Sequence, residues 1–205
     1  MTLSELFRDI PHTLLSGSPD TETTGLCCDS RKAGPGSLFV ALPGARADGH
    51  DFVPAVAGQG AAAVVVEHPV DDAGNAAVVQ VENSRIALAL LAAAFYGHPA
   101  DRLTIIGITG TKGKTTTAYI LRSILTAAGR KTGMIGTVGT FIGDEMLCDA
   151  RNTTPESLEL HQRFAQMEQA GCTHVVMEVS SQAMKLHRVA GIQFDTALFL
   201  NLSPD

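Results

Sequence analysis

The segment Ile105–Thr117 (IIGITGTKGKTTT) has the residue types, in the order, that phosphate chemistry needs. An apolar run enters a turn made of Gly110, Thr111, Lys112 and Gly113, and Lys114, Thr115 and Thr116 then open a helical stretch. Small residues let backbone N–H groups approach oxygen atoms, and a helix N-terminus adds the positive end of its dipole. In such a cradle Lys114 would reach the β- and γ-phosphates of a nucleotide, and the Thr115 hydroxyl would sit on Mg²⁺. The strict P-loop spacing would put Gly at position 108, which is Ile108, so this loop is a tighter variant.

A second signal is Val175–Ser181 (VVMEVSS), where Glu178 stands at the carboxyl end of an otherwise apolar strand. A buried carboxylate is costly unless it meets a cation. Alone, Glu178 could be a solvated edge residue; beside the glycine loop, Mg²⁺ is its natural partner. The run Asn152-Thr153-Thr154-Pro155-Glu156 reads first as a helix start, with Thr154 as N-cap and Pro155 at the first helical position. Asp29-Ser30-Arg31 is a polar turn with no specific meaning by itself.

The elements that must position these residues follow from periodicity. Thr2 and Glu5 form a capping box before Leu3, Leu6, Phe7 and Ile10 at helical spacing. Short Val/Ala-rich runs at 38–42, 62–67 and 77–81 predict strands, with a short helix over 52–57 between the first two. Ser84 is a suitable N-cap for a helix over 86–96, stopped by Gly97-His98-Pro99, and 97–102 reads as a linker. Regular alternation follows: strands at 103–108, 131–135, 173–179 and 195–200, and helices at 114–128 and 156–170. Continuous apolar strands between amphipathic helices imply a parallel sheet covered on both faces. The expected architecture is α/β: a small N-terminal α/β domain over 1–97, then the first part of a doubly wound parallel-sheet P-loop domain over 98–205. The second unit has room for about four strands and stops just after one, where ligands of open sheets bind. A truncated chain is therefore expected, with an open sheet edge that invites self-association.

Composition narrows the function. With 205 residues, 45% of them hydrophobic, and a mean hydropathy of +0.15, the chain can bury a real core. Fifteen Lys+Arg against 21 Asp+Glu give −6, and no basic block stands out. Dedicated binding to nucleic acid or an anionic membrane is excluded on that ground. No apolar run reaches the roughly 18 residues of a membrane span, and the start lacks a secretion signal, so a cytoplasmic protein is expected. Cys27 and Cys28 are adjacent, Cys148 and Cys172 isolated, and no C-x-x-C or H-E-x-x-H pair exists to hold zinc.

Taken together, these segments resemble the Mur ligases, and most closely the branch that adds the third amino acid to UDP-N-acetylmuramoyl-L-alanyl-D-glutamate. The resemblance runs from about Leu26 to the last residue. Thr109–Thr115 looks like the family's ATP loop, Asn152–Pro155 like its muramoyl-substrate loop, and Met177–Ser181 like its metal-ligand strand. Asp29-Ser30-Arg31, with Leu38–Ala41 and Ala47-Asp48-Gly49, looks like its uridine-binding domain.

The resemblance implies a role for each matched position. Cys28, Ser30, Ala45, Arg46 and Ala47 would hold the uridine diphosphate end. Gly110, Thr111, Lys112, Gly113, Lys114, Thr115 and Thr116 would bind ATP, with Thr115 and Glu178 on Mg²⁺ and Lys114 and Glu178 as the catalytic pair. Asn152, Thr153, Thr154, Ser180 and Arg188 would contact the muramoyl-peptide. The reaction implied is ATP-dependent amide ligation through an acyl-phosphate in peptidoglycan precursor synthesis, with diaminopimelate or lysine as the incoming amino acid. Three positions depart from the family's usual residues: Lys112 for Asn, Gln182 for His, and Leu186 where some relatives have Gln. The family's modified lysine, a later histidine and the amino-acid-binding third domain have no counterpart here, so this chain alone is expected to be catalytically inactive. Two rival readings are a sister ligase (one adding D-Ala-D-Ala, or a folylpolyglutamate synthetase) and a non-catalytic UDP-binding or interaction module.

Overall fold

A computed structural model describes residues 1–44 and 47–203. It divides into two compact units, Met1–Phe95 and Tyr96–Asp205.

In the first unit the Thr2–Glu5 capping box opens α1 (Leu3–Leu6), the Thr2 hydroxyl accepting from the Glu5 N–H. Then come β1 (Thr13–Ser16), β2 (Gly25–Cys27), β3 (Ser37–Val40), α2 (Val53–Gly58), β4 (Ala63–Val66), β5 (Ala77–Gln80) and α3 (Ser84–Phe95). The strand order is β1-β5-β4-β3-β2, parallel except for β1 against β5. β3 and β4 are buried throughout, as their unbroken apolar runs require. One correction concerns α3. Asn83, not Ser84, caps it, its side-chain oxygen accepting the N–H groups of Arg85 and Ile86 at 3.0 Å. The Ser84 hydroxyl is taken instead by the Glu67 carboxylate at 2.8 Å.

The second unit contains β6 (Thr104–Thr109), α4 (Lys114–Ala127), β7 (Thr132–Ile135), β8 (Gly139–Ile142), β9 (Glu145–Asp149), α5 (Ser157–Gln169), β10 (His174–Glu178), α6 (Ser181–Lys185) and β11 (Thr196–Phe199). The sheet order is β11-β6-β10-β7-β8-β9. The first four strands are parallel and match the expected sheet. β8 and β9 add an antiparallel hairpin that periodicity did not predict, because β9 is mostly exposed and carries no buried alternation. Ile108, Ala118, Met134 and Val176 pack in one core cluster with α4, and Ile105, Leu160, Phe164, Val175 and Met177 in another with α5. The expected linker at 97–102 is a packed element: Pro99–Arg102 forms a 3-10 helix against α5, with Pro99 and Ala100 buried. Among the described residues no helix is long and apolar enough to cross a membrane.

His161 on α5 is 1% exposed, and neither ring nitrogen has a hydrogen-bond partner. Burial, with a smaller push from His98, lowers its pKa from 6.5 to about 4. The unfolded chain therefore takes up this proton first, so stability is full above about pH 6.5 and falls as pH drops toward 4. The loss is roughly 3 kcal/mol at most. Urea midpoints at pH 7 and pH 4.5 should draw together in His161→Leu relative to wild type. Unchanged separation would refute the assignment to this residue.

Candidate functional site

Gly110 and Gly113 adopt positive φ angles of 141° and 87°, which residues with a Cβ rarely take. Gly113 is the N-cap of α4 and no side chain caps that end, so the first-turn amides point out of the helix toward the loop. The Lys114 ammonium curls back over the loop, donating to the Gly110 carbonyl at 2.6 Å and the Thr111 carbonyl at 3.4 Å. Lys112 and Thr116 are exposed. The loop is also held from far along the chain. The Asn201 side chain accepts the Lys112 N–H and donates to the Lys112 carbonyl, both at 3.0 Å, while the Asn201 carbonyl accepts the Thr111 N–H at 3.2 Å. Sequence reading missed Asn201 because an amide at a strand end carries no local signal.

Glu178 ends β10, beside β6, which leads into the loop. It is 2% exposed. The Thr115 hydroxyl donates to its Oε2 at 3.0 Å, and Thr137 donates its N–H to Oε1 at 3.0 Å, with its hydroxyl 3.1 Å from Oε2. Gly136 makes room for this carboxylate: a Cβ there would lie 2.2 Å from Glu178 Oε1. Among the described residues no ion pair involves Glu178. A buried carboxylate and a threonine hydroxyl form a hard oxygen donor set of the kind that suits Mg²⁺. These residues fit that ion.

The 152–154 segment joins the same site. Thr154 does not cap α5; the N-cap is Glu156. Its hydroxyl is used elsewhere, donating to the Glu178 carbonyl at 2.9 Å and accepting the Ser180 N–H at 3.0 Å. The local cap preference lost to this tertiary pair. Thr153 lies 3.1 Å from the Thr137 hydroxyl. Arg188 donates to the Thr154 carbonyl at 2.9 Å and pairs with Glu156 at 2.5 Å. A concavity of about 330 Å³ is lined by Asn152, Thr153, Ser180, Gln182 and Arg188, among others. All five residues assigned to the muramoyl-peptide thus gather around the carboxyl end of β10.

In the first unit, Cys28, Ser30, Phe39, Leu42, Ala47 and Phe52 line a separate concavity of about 440 Å³. Asp29 shapes its rim. It caps the 3-10 turn Ser30–Lys32 and holds Arg31 through both carboxylate oxygens, at 2.9 and 2.8 Å. Those hydrogen bonds pull the Asp29 pKa down to about 2. The neighbouring segment is anchored by His50, buried and unmarked in the sequence. Its Nδ1 lies 2.5 Å from Asp48, and its Nε2 accepts the Glu67 N–H at 2.9 Å. Ala45 and Arg46, also assigned to the uridine end, lie outside the described residues.

Two family models match the chain: the Mur ligase middle domain over residues 108–205 and the Mur ligase family catalytic domain over 22–96. A UDP-N-acetylmuramoyl-L-alanyl-D-glutamate–2,6-diaminopimelate ligase of Solibacter usitatus is 48% identical over 207 residues, covering all of this chain and 42% of that protein. A solved structure of a ligase of the same name superposes with a TM-score of 0.82 at 25% identity, covering 100% of this chain and 41% of the other. A MurF ligase from Thermotoga maritima, in complex with ADP, gives 0.57 at 27% identity over 88% of this chain and 38% of its own. This chain thus spans about two fifths of the length of the relatives it matches. Both units are matched under one family name, and the loop, the buried glutamate and the threonine segment meet at one sheet end: the chain belongs to the Mur ligase family.

Proposed function

We propose that this chain is the substrate- and nucleotide-binding portion of an ATP-dependent ligase that adds the third amino acid to UDP-N-acetylmuramoyl-L-Ala-D-Glu. The observation that carries this reading is the convergence on Glu178. The Thr115 hydroxyl reaches its carboxylate from the phosphate loop, Thr154 reaches its main-chain carbonyl from the substrate segment, and Thr153 is linked to it through Thr137. Names of relatives at 40–48% identity support 2,6-diaminopimelate as the added amino acid.

In the whole enzyme the D-glutamyl carboxylate takes the γ-phosphoryl group of ATP, ADP leaves, and the amine displaces phosphate from the acyl-phosphate. The residues of this chain contribute positioning and charge neutralisation. Lys114 exchanges the carbonyls of Gly110 and Thr111 for phosphate oxygens, and the first-turn amides of α4 surround them. Thr115 and Glu178 would hold Mg²⁺, which supplies charge neutralisation at the phosphates. Arg188, Ser180 and the 152–154 segment hold the muramoyl-peptide, and Cys28, Ser30 and Ala45–Ala47 the uridine diphosphate. A step on a UDP-linked precursor with ATP is in keeping with a cytoplasmic protein.

Thermal melts with each ligand test the assignment. The UDP-muramoyl-dipeptide is expected to raise the melting temperature more than Mg·ATP, because its uridine end has the first-unit concavity of about 440 Å³ to enter. At 100 times its dissociation constant a ligand stabilises by about 2.7 kcal/mol. A shift with Mg·ATP as large or larger would reverse the proposed hierarchy, and no shift with either would remove the functional reading.

A further inference from the structure

Thr137 lies in the short connection between β7 and β8, exposed to solvent, and neither the motifs nor the resemblance gives it a task. Yet it touches both halves of the site. Its N–H clamps Glu178 Oε1 at 3.0 Å; its hydroxyl stands 3.1 Å from Glu178 Oε2 and 3.1 Å from the Thr153 hydroxyl. A hydroxyl has one proton and two lone pairs, whereas a carboxylate oxygen only accepts. The Thr137 hydroxyl is oriented as donor toward both the Glu178 carboxylate and the Thr153 hydroxyl, and its single proton serves only one of them at a time. Whatever occupies Glu178 or Thr153 therefore decides where that proton points.

We propose that Thr137 is a positioning residue that couples the nucleotide–metal subsite to the muramoyl-peptide subsite; this rests on the functional reading above. A ligand that fixes Thr153 also fixes the Thr137 hydroxyl, and with it the orientation of the carboxylate facing Thr115. A cation drawn to Glu178 fixes the same strap from its other end. The coupling is reciprocal by linkage, and such energies correspond to roughly 5- to 150-fold in affinity. The Thr154 bond to the Glu178 carbonyl ties the backbone of the two segments but does not reach the carboxylate, so the side-chain signal passes through Thr137.

The test is titration calorimetry of the 205-residue chain with Mg·ADP and with the UDP-muramoyl-dipeptide, each alone and each with the other saturating. In wild type, each ligand should tighten the other about fivefold or more. Thr137→Val removes the hydroxyl and keeps the N–H and the shape. It should bind each ligand alone with the coupling reduced to within about twofold, and Thr137→Ser should restore it. A purely structural role would lower the melting temperature without changing the ratio. Should Thr137→Val fail to fold, Thr137→Ala carries the same expectation. Binding of both ligands without coupling in wild type, or coupling that survives in the variants, overturns the strap alone. Failure of wild type to bind either ligand overturns the functional reading, and the strap with it.

Discussion

Lys114→Ala is expected to lose nucleotide binding by roughly 30- to 150-fold while leaving UDP-ligand binding unchanged. The ammonium is the loop's own charged donor, and a hydrogen bond to a charged partner contributes about 2–3 kcal/mol. The glycines that shape the loop remain, so the loss is one of charge rather than of fold. In the substituted protein the Gly110 and Thr111 carbonyls that now accept from Lys114 turn to water, which is cheap at a part-exposed loop. Titration of wild type and variant with Mg·ATP and, separately, with UDP-muramoyl-dipeptide reads both halves of the expectation. Equal nucleotide affinity in the two proteins would mean that phosphate is held elsewhere. A parallel loss of UDP-ligand affinity would mean that the substitution damages the fold.

Gly136→Ala should be the most disruptive single methyl group in the second unit. The added Cβ would fall 2.2 Å from Glu178 Oε1 and 2.9 Å from its Cδ. Either the carboxylate moves and abandons the Thr115 and Thr137 donors, or β10 and the 136–137 turn separate. Overpacking costs about 1–3 kcal/mol, and leaving a buried polar group unsatisfied about 1–3 kcal/mol more. A destabilisation of roughly 2–6 kcal/mol is expected, together with loss of Mg²⁺-dependent nucleotide binding. Glu178→Asp, one methylene shorter, provides the check. Measured by urea unfolding, Gly136→Ala should cost clearly less in the Glu178→Asp background than in wild type. The same cost in both backgrounds would show that the methyl group acts on something other than the carboxylate.

The parts of this site that sequence makes legible are those written locally. Gly110, Gly113, Lys114 and Thr115 are neighbours within one strand–turn–helix, and their order reads as a phosphate loop even though position 108 is Ile. Glu178 stands out because a carboxylate interrupts an apolar strand. The parallel core strands β6, β7, β10 and β11 are similarly plain, since burial on both faces demands continuous apolar runs. What escapes is whatever depends on a partner far along the chain. Thr137 and Asn201 are ordinary polar residues until the sheet brings them to Glu178 and to the loop. Thr154 shows the same limit from the other side: Thr-Pro-Glu satisfies every local preference for a helix start, but its hydroxyl is taken by Glu178 and Ser180. Asn83 and Ser84 are both good caps, and only the nearby Glu67 carboxylate decides which one serves.

The staple between Asn201 and the phosphate loop has a consequence for the order of events as the protein is made. Lys112 and Asn201 are 89 positions apart, and the Thr111–Ser203 pair spans 92. Contacts of such long range form late, because the closure entropy of the intervening chain must be met first. A nascent chain that has released the whole glycine signature still lacks the residue that fixes the loop's shape until β11 has emerged and aligned beside β6. The most recognisable local motif in the chain therefore reaches a defined conformation only after β11 has joined the sheet. During synthesis, the proposed competence to hold a phosphate arrives with β11 rather than with the motif itself.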